Sequence, residues 1–307
     1  MSDKVNAGEP AFGEADLTNC DREQIHIPGS IQPHGAMLVY DPARQVVTHA
    51  SLNAAEMLGA DKDSIIGGTL DTIVGAQAAH AVRNAAAKSV APSAPGLVFG
   101  QAVAGSAKLF DVAVHAHLGR TFIELQEAAT DAAGYGPLEM TRALVRRLAD
   151  ENSEPTLAVS AARMVQLMIG YDRVMIYKLL HNGAGRVIDE QKRADLGSFL
   201  NQHFPASDIP VQGRELYKRY WIRMISDVRY TPQQILPPIK TSEPPLDMSY
   251  AQLRSVSPVH CEYLQNMGVD ASMSISIMVK GELWGLIACH HYSPKAVTLP
   301  QRVGAEM

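Results

Sequence analysis

Phe204-Pro205-Ala206-Ser207-Asp208-Ile209-Pro210 is the stretch on which the reading of this chain turns. Pro210 restricts the backbone before it and opens a helix expected over Val211 to Tyr220, so Asp208 stands at a loop-to-helix junction where its plain role is to cap that helix. Downstream come Arg254-Ser255-Val256-Ser257-Pro258-Val259-His260, Tyr263, Ser272-Met273-Ser274 and His290-His291. Two histidines, an aspartate, several hydroxyls and at least two arginines among aromatic and aliphatic residues are the mixture a pocket needs to hold a large, flat, anionic ligand.

Around that stretch the pattern is mixed α and β. Pro155 to Ile169 reads as a helix with proline at its start, Arg173 to Leu180 and Arg186 to Lys192 as strands joined by an Asn182-Gly183 turn, and Ala271 to Val279 with Glu282 to His290 as a β-hairpin over Lys280-Gly281. On such a strand Ser272, Ser274 and Ser276 share one face, which could equally be an ordinary solvent face. Upstream, Ala36 to Tyr40, Val46 to Ala50, Leu97 to Val103, Leu109 to His117 and Arg120 to Gln126 read as strands, with helices at Asn53 to Leu58 and Gln77 to Lys88. His115 and His117 share a strand face and are expected to be exposed. Ala128 to Pro137 reads as a linker before a helix Leu138 to Asp150. Arg229 to Tyr250, with five prolines, is too proline-dense for a helix or central strand and is expected to be a long loop.

At 307 residues, with 46% hydrophobic and 19% charged residues, the chain has material for two domains of ordinary size. A net charge of −5 without a basic stripe argues against nucleic-acid binding. No apolar run approaches the roughly 18 residues needed to span a bilayer, and Met1 to Pro10 lacks a signal-peptide core, so a soluble, cytoplasmic protein without a membrane partner is expected. Three cysteines, Cys20, Cys261 and Cys289, show no CxxC spacing and are expected to be free thiols, Cys20 in a polar, exposed setting. Arg223 and Arg254 are candidate anion clamps, because a guanidinium fork meets a carboxylate through two parallel hydrogen bonds.

Phe204 to Pro210, Leu253 to Ser274 and Leu283 to His291 resemble the bilin-binding GAF domain of phytochromes, and Cys20-Asp21 to Gly35 resembles the N-terminal segment and first PAS strand of the bacterial members. The resemblance covers about residues 15 to 300. It implies an α+β fold in which a PAS domain (21–130) and a GAF domain (131–307) follow an extension (1–20). It also implies an N-terminal knot through a lasso loop at Arg229 to Tyr250, plugged by Ile25, Ile27 and Ile31. The implied cofactor is biliverdin IXα, joined by a thioether to Cys20. Cys261, beside His260, is the alternative attachment site, as in relatives that use a GAF cysteine.

By the same resemblance Arg223 and Arg254 hold a propionate, with Tyr217, Ser257, Ser272 and Ser274 as polar contacts. Asp208 offers its backbone carbonyl to the pyrrole nitrogens, with Ile209 and Pro210 beside it. His260 supports a pyrrole water and His290 the ring D carbonyl. Met175, Tyr177, Phe199, Phe204, Ile209, Tyr263, Met267 and Leu286 form the walls. The implied function is red/far-red light sensing without catalysis. The PHY and output domains of a parent sensor kinase are expected to be absent after Pro294, the last GAF helix is expected to be missing, and a homodimer is possible. Two rival readings stand: a metal site from Asp208, His260 and His290, and a GAF sensor of a small molecule such as a cyclic nucleotide.

Overall fold

The computed structural model describes residues 10–16, 18–129, 142, 145–149, 151–239 and 243–306. Most of the expected linker Ala128 to Pro137 and of the helix Leu138 to Asp150 lies outside them. The chain divides into two compact units, His26–Thr130 with Tyr230–Ser255, and Met1–Ile25 with Asp131–Arg229 and Val256–Met307. The division departs from a single cut near residue 130, because the proline-dense segment joins the first unit.

That first unit is a seven-stranded antiparallel sheet, with β1 (Ser30–Ile31), β2 (Gly35–Asp41), β3 (Val46–Ser51), β4 (Gly96–Ala102), β5 (Leu109–His117), β6 (Arg120–Glu127) and β11 (Gln233–Leu236) in the order β1-β11-β3-β2-β6-β5-β4. Helices α1 (Ala54–Leu58), α2 (Lys62–Ile65), α3 (Leu70–Val74) and α4 (Ala76–Lys88) contribute Leu58, Ile65, Ile73 and Val82 to a core shared with Leu38, Val112 and Leu125 of the sheet. A second core joins Met37, Val39 and Phe122 to Ile31, Ile235, Leu246, Met248 and Leu253.

Two expectations are corrected here. The segment Arg229 to Tyr250 is not all loop, since β11 pairs on both sides, Ile235 opposite Ser51 and Gln234 opposite Ser30. Pro232 and Pro237 flank the strand, so neither removes an N–H from it. Nor is His115 exposed: it is 1% accessible and its ring stacks on Phe122 at 4.9 Å, while His117 Nε2 lies 3.2 Å from Asp247 Oδ2. Chain 130 residues further on, not local pattern, covers that face.

The second unit is a six-stranded antiparallel sheet in the order β10-β12-β13-β7-β8-β9, formed by β7 (Arg173–Leu179), β8 (Gly185–Lys192), β9 (His203–Phe204), β10 (Ile222–Ile225), β12 (Ala271–Val279) and β13 (Glu282–His291). Helix α5 (Glu154–Ile169) starts where Ser153 Oγ accepts the Thr156 N–H and ends at Gly170, whose φ of 64° lets its N–H reach Gln166 O. It lies against β7, β8 and a last helix, α8 (Leu299–Glu306). Helices α6 (Val211–Arg219) and α7 (Pro258–Asn266) complete the unit.

Candidate functional site

Strand register builds the site. Ser272 stands opposite His290 and Ile225, Ser274 opposite Ala288 and Arg223, Leu286 opposite Ser276 and Tyr177, and Ala288 opposite Met175. Directly opposed residues of an antiparallel pair project to the same side. One sheet face therefore carries Arg223, Ser272, Ser274, His290, Leu286, Met175 and Tyr177, gathered from four strands. Met175, Tyr177, Val187 and Leu286 form an apolar cluster with Phe199, Phe204, Ile209 and Tyr217 packed against it. The rings of Tyr177 and Phe204 are 5.8 Å apart, those of Phe199 and Phe204 6.2 Å.

Asp208 ends a 3-10 turn, Ala206–Asp208, and does not cap α6, whose first position follows Pro210 without a side-chain cap. Its Oδ2 instead accepts the Tyr263 hydroxyl at 3.0 Å. Arg214 fastens this loop by donating to the carbonyls of Ile209 (2.7 Å), Gly183 (2.6 Å) and Ala206 (3.0 Å). Burial, then the Asp208 charge, pushes the Tyr177 hydroxyl up to about 12, and the same two causes lead in raising Tyr263. Both phenols are neutral donors at physiological pH.

Both histidines are neutral as well. Burial, reinforced by Arg173 and His260, pushes His290 down to about 3, and burial with Arg223 pushes His260 down to about 4. His290 is 8% accessible and its Nδ1 has no hydrogen-bond partner. His260 keeps some accessible surface although protein surrounds it, and its ring stacks near Tyr263, 6.1 Å between centroids. An orphaned ring nitrogen in a buried setting marks a place where a ligand atom can complete a hydrogen bond.

The other expected residues are placed less centrally. Ser257 precedes α7 without capping it, and Met267 follows that helix, outside the apolar cluster. Arg254, 6% accessible, belongs to the first unit, where it bridges to Ile31, so the geometry just described does not include it. Cys20 opens a 3-10 turn, Cys20–Arg22, and its carbonyl accepts a hydrogen bond from the Gln212 amide of α6, which fixes the turn against that helix. Cys20 is partly accessible, whereas Cys261 and Cys289 are buried. Burial leads in pushing the Cys261 thiol up to about 11, leaving little thiolate there.

Several supports have no local signature in the sequence. Arg173 Nη1 pairs with Glu190 Oε1, both side chains 2% accessible, and the guanidinium lies 4.0 Å from the Phe199 ring centroid. Glu190 also accepts Ser198 Oγ at 2.7 Å and the Phe199 N–H at 3.1 Å, anchoring that wall. Ser276, an ordinary strand residue by pattern, donates to Tyr217 O at 2.8 Å and ties α6 to β12. Only the cross-strand register of Arg173 and Glu190, two apart on neighbouring strands, offered a signal. Among the described residues no group of three or more His, Cys, Asp or Glu is placed to hold a metal ion, and no helix is long and apolar enough to cross a membrane.

The donor set fits a bilin: apolar and aromatic walls, neutral ring nitrogens, hydroxyls, and the Arg223 guanidinium for an acidic arm. Comparison with known proteins bears on that fit. A PAS-fold family model matches residues 20–128 and a GAF-domain model residues 155–304. The chain is 38% identical to a bacteriophytochrome of Pseudomonas aeruginosa over 95% of its length and 37% identical to cyanobacterial phytochrome B of a Nostoc species, spanning 39% of each relative. Among solved structures it resembles the chromophore-binding domain of Stigmatella aurantiaca phytochrome P1, with TM-score 0.83 and 37% identity over 94% of this chain and 95% of that one. The chromophore-binding domain of an unusual bacteriophytochrome from R. palustris gives TM-score 0.83 at 34% identity, covering 94% and 93% of the two chains. With PAS and GAF folds in sequence and this likeness along nearly its whole length, the chain belongs to the bacteriophytochrome family, as a PAS–GAF chromophore-binding segment.

Proposed function

We propose that this segment is the light-sensing module of a red/far-red photoreceptor, that it binds biliverdin IXα, and that Cys20 forms the thioether. The observation that carries the reading is the single sheet face on which His290, with its unpartnered Nδ1, Ser272, Ser274 and Arg223 surround an apolar cluster. When bound, the pigment supplies absorption of red light and rotation about the double bond between its rings C and D.

The residues divide the remaining tasks. Arg223, with Tyr217, Ser257, Ser272 and Ser274, would hold a propionate. The Asp208 carbonyl would accept from pyrrole N–H groups and neutral His260 would support a water bound to them, which favours a protonated pigment, while His290 would hydrogen-bond the ring D carbonyl. Met175, Tyr177, Phe199, Phe204, Ile209, Pro210, Tyr263, Met267 and Leu286 exclude water. Cys20 would hold ring A by a thioether to a vinyl carbon, with the thiol proton passing to the neighbouring carbon. Support for Cys20 over Cys261 comes from its partial exposure and its tether to α6 through Gln212.

The parent's kinase output, the PHY partner domain, homodimerisation and a cytoplasmic setting belong to the same proposal. So does threading of the N-terminal segment, supported by backbone bonds that hold residues 26–32 from several sides: Met248 N to His26 O, Ile235 N to Gly29 O, Ser255 N to Ser30 O and Gln32 N to Leu253 O. The test is to add biliverdin to the purified chain. A red absorption band that survives denaturation in the wild type but not in Cys20→Ser is expected, and a colourless protein overturns the reading.

A further inference from the structure

Gly185 opens β8 and pairs with Leu179 on one side and Phe204 on the other. It is buried, and a Cβ built there would lie 1.8 Å from Tyr177 Cζ, 2.0 Å from its hydroxyl oxygen and 2.1 Å from Cε1. The Tyr177 ring thus occupies the volume that any side chain at position 185 requires. The backbone at Gly185 is not left-handed, so the need for glycine comes from the ring and not from φ. Gly285, also beside Tyr177, differs: a Cβ there would meet the Tyr177 carbonyl oxygen at 2.4 Å, and backbone cannot swing away. At Gly185 the three nearest atoms all belong to the far end of one side chain, which can turn about χ1. A missing side chain in a strand commonly marks such a close approach.

We propose that Gly185 is a positioning residue for the pigment pocket: its bare Cα is the seat that sets where the Tyr177 ring lies, against Phe204 and beside Asp208. A side chain at 185 moves the ring off that seat and changes the room left within the apolar cluster, without breaking the sheet. Tyr177 is only 8% accessible and is itself part of that cluster, so a displaced ring moves among the residues that line the pocket. The consequence for pigment rests on the proposed function. The coupling between residues 185 and 177 does not.

The experiment is a double-mutant cycle in the full chain, with Gly185→Ala made in the wild type and in the Tyr177→Ala background. Without pigment, followed by urea unfolding, Gly185→Ala is expected to lower the folding equilibrium constant by about tenfold when Tyr177 is present. In the Tyr177→Ala background it is expected to be neutral or stabilising, since alanine then only removes chain entropy from the unfolded state. If Gly185→Ala alone fails to fold while the double variant folds, the coupling is also established. Equal losses in both backgrounds, or failure of both to fold, overturn it. With biliverdin added, Gly185→Ala is expected to shift the red absorption maximum, and the double variant to match Tyr177→Ala alone. An unshifted maximum in Gly185→Ala refutes the pocket role. If no variant takes up pigment, the proposed function fails, and the pigment-free cycle still decides the seat.

Discussion

Replacing Glu190 by glutamine keeps the volume of the side chain and removes its charge, which isolates the contribution of the buried pair with Arg173. Each partner is 2% accessible. Breaking a buried ion pair from one side strands the other charge, at a cost of about 3–5 kcal/mol. Surface pairs of this chain, such as Arg83 with Asp71, each 46% accessible, fall in the class worth roughly 0–1 kcal/mol, so burial decides the difference. Arg173 retains bonds to Gly197 O (2.8 Å) and Tyr292 Oη (3.2 Å), which soften the loss without neutralising the guanidinium. Replacing both partners, Arg173→Met with Glu190→Leu, removes the stranded charge but forfeits four bonds, those of Glu190 with Ser198 and the Phe199 N–H and those of Arg173 with Gly197 O and Tyr292 Oη, at about 1 kcal/mol each. The double variant is therefore expected to match Glu190→Gln in stability to within about 1 kcal/mol. Both tryptophans, Trp221 and Trp284, lie in the second unit, so their fluorescence in urea reports it. With a denaturant slope of about 2 kcal/mol per molar, the midpoint for Glu190→Gln falls by about 2 M. A fall under about 0.3 M would refute the argument that this pair holds the Phe199 wall through charge.

Acid sensitivity follows from the histidines. His260 and His290 have folded values near 4 and 3, below the ordinary 6.5, so the unfolded chain binds more protons and stability falls as pH drops from about 7 through 4. His260→Gln is expected to flatten part of that slope between pH 7 and 5, and identical urea-midpoint slopes for variant and wild type would contradict it. Arg214→Ala removes three bonds to backbone carbonyls and is expected to speed proteolysis within residues 183–209 at least severalfold. An unchanged cleavage rate would show that the loop holds itself. Tyr263→Phe leaves the Asp208 carboxylate without its phenol donor and is expected to cost roughly 1–2 kcal/mol in unfolding experiments, the range for a bond to a charged but partly exposed group. No measurable loss would mean that solvent replaces the phenol.

Legibility in the sequence followed the range of the contacts. Leu109–His117 and Ala271–Val279 were readable to the residue because alternation is local, and α5 because Ser153, Pro155 and Gly170 punctuate it. β11 was unreadable because two prolines bracket only four residues, and its partners, Ser51 and Gln234's neighbour Ser30, lie about two hundred positions away. His115 was misplaced for the same reason: alternation tells which residues share a face, not what distant chain lies over it. Within the site, motif residues could be named, but the plain reading of Asp208 as a helix cap fails, since its carboxylate serves Tyr263. Arg173 with Glu190, Arg214 and Gln212 act through tertiary contacts, which composition and spacing do not encode.

The electrostatics of the site explain why neutral groups dominate it. Burial first, then Arg223, lowers His260, and burial first, then Arg173 and His260, lowers His290, so an added proton would be both desolvated and close to positive charge already present. Glu190 is occupied by Arg173, the Ser198 hydroxyl and the Phe199 N–H, and so does not neutralise either imidazole. A pocket in that condition can accept a ligand's N–H groups through uncharged nitrogens and carbonyls while drawing its carboxylates to guanidinium. A doubly anionic ligand with a protonated conjugated core meets both demands at once, whereas a simple cation meets neither. Charging either histidine by acid would reverse the match, which is why pigment retention and fold stability are expected to decline over the same pH interval.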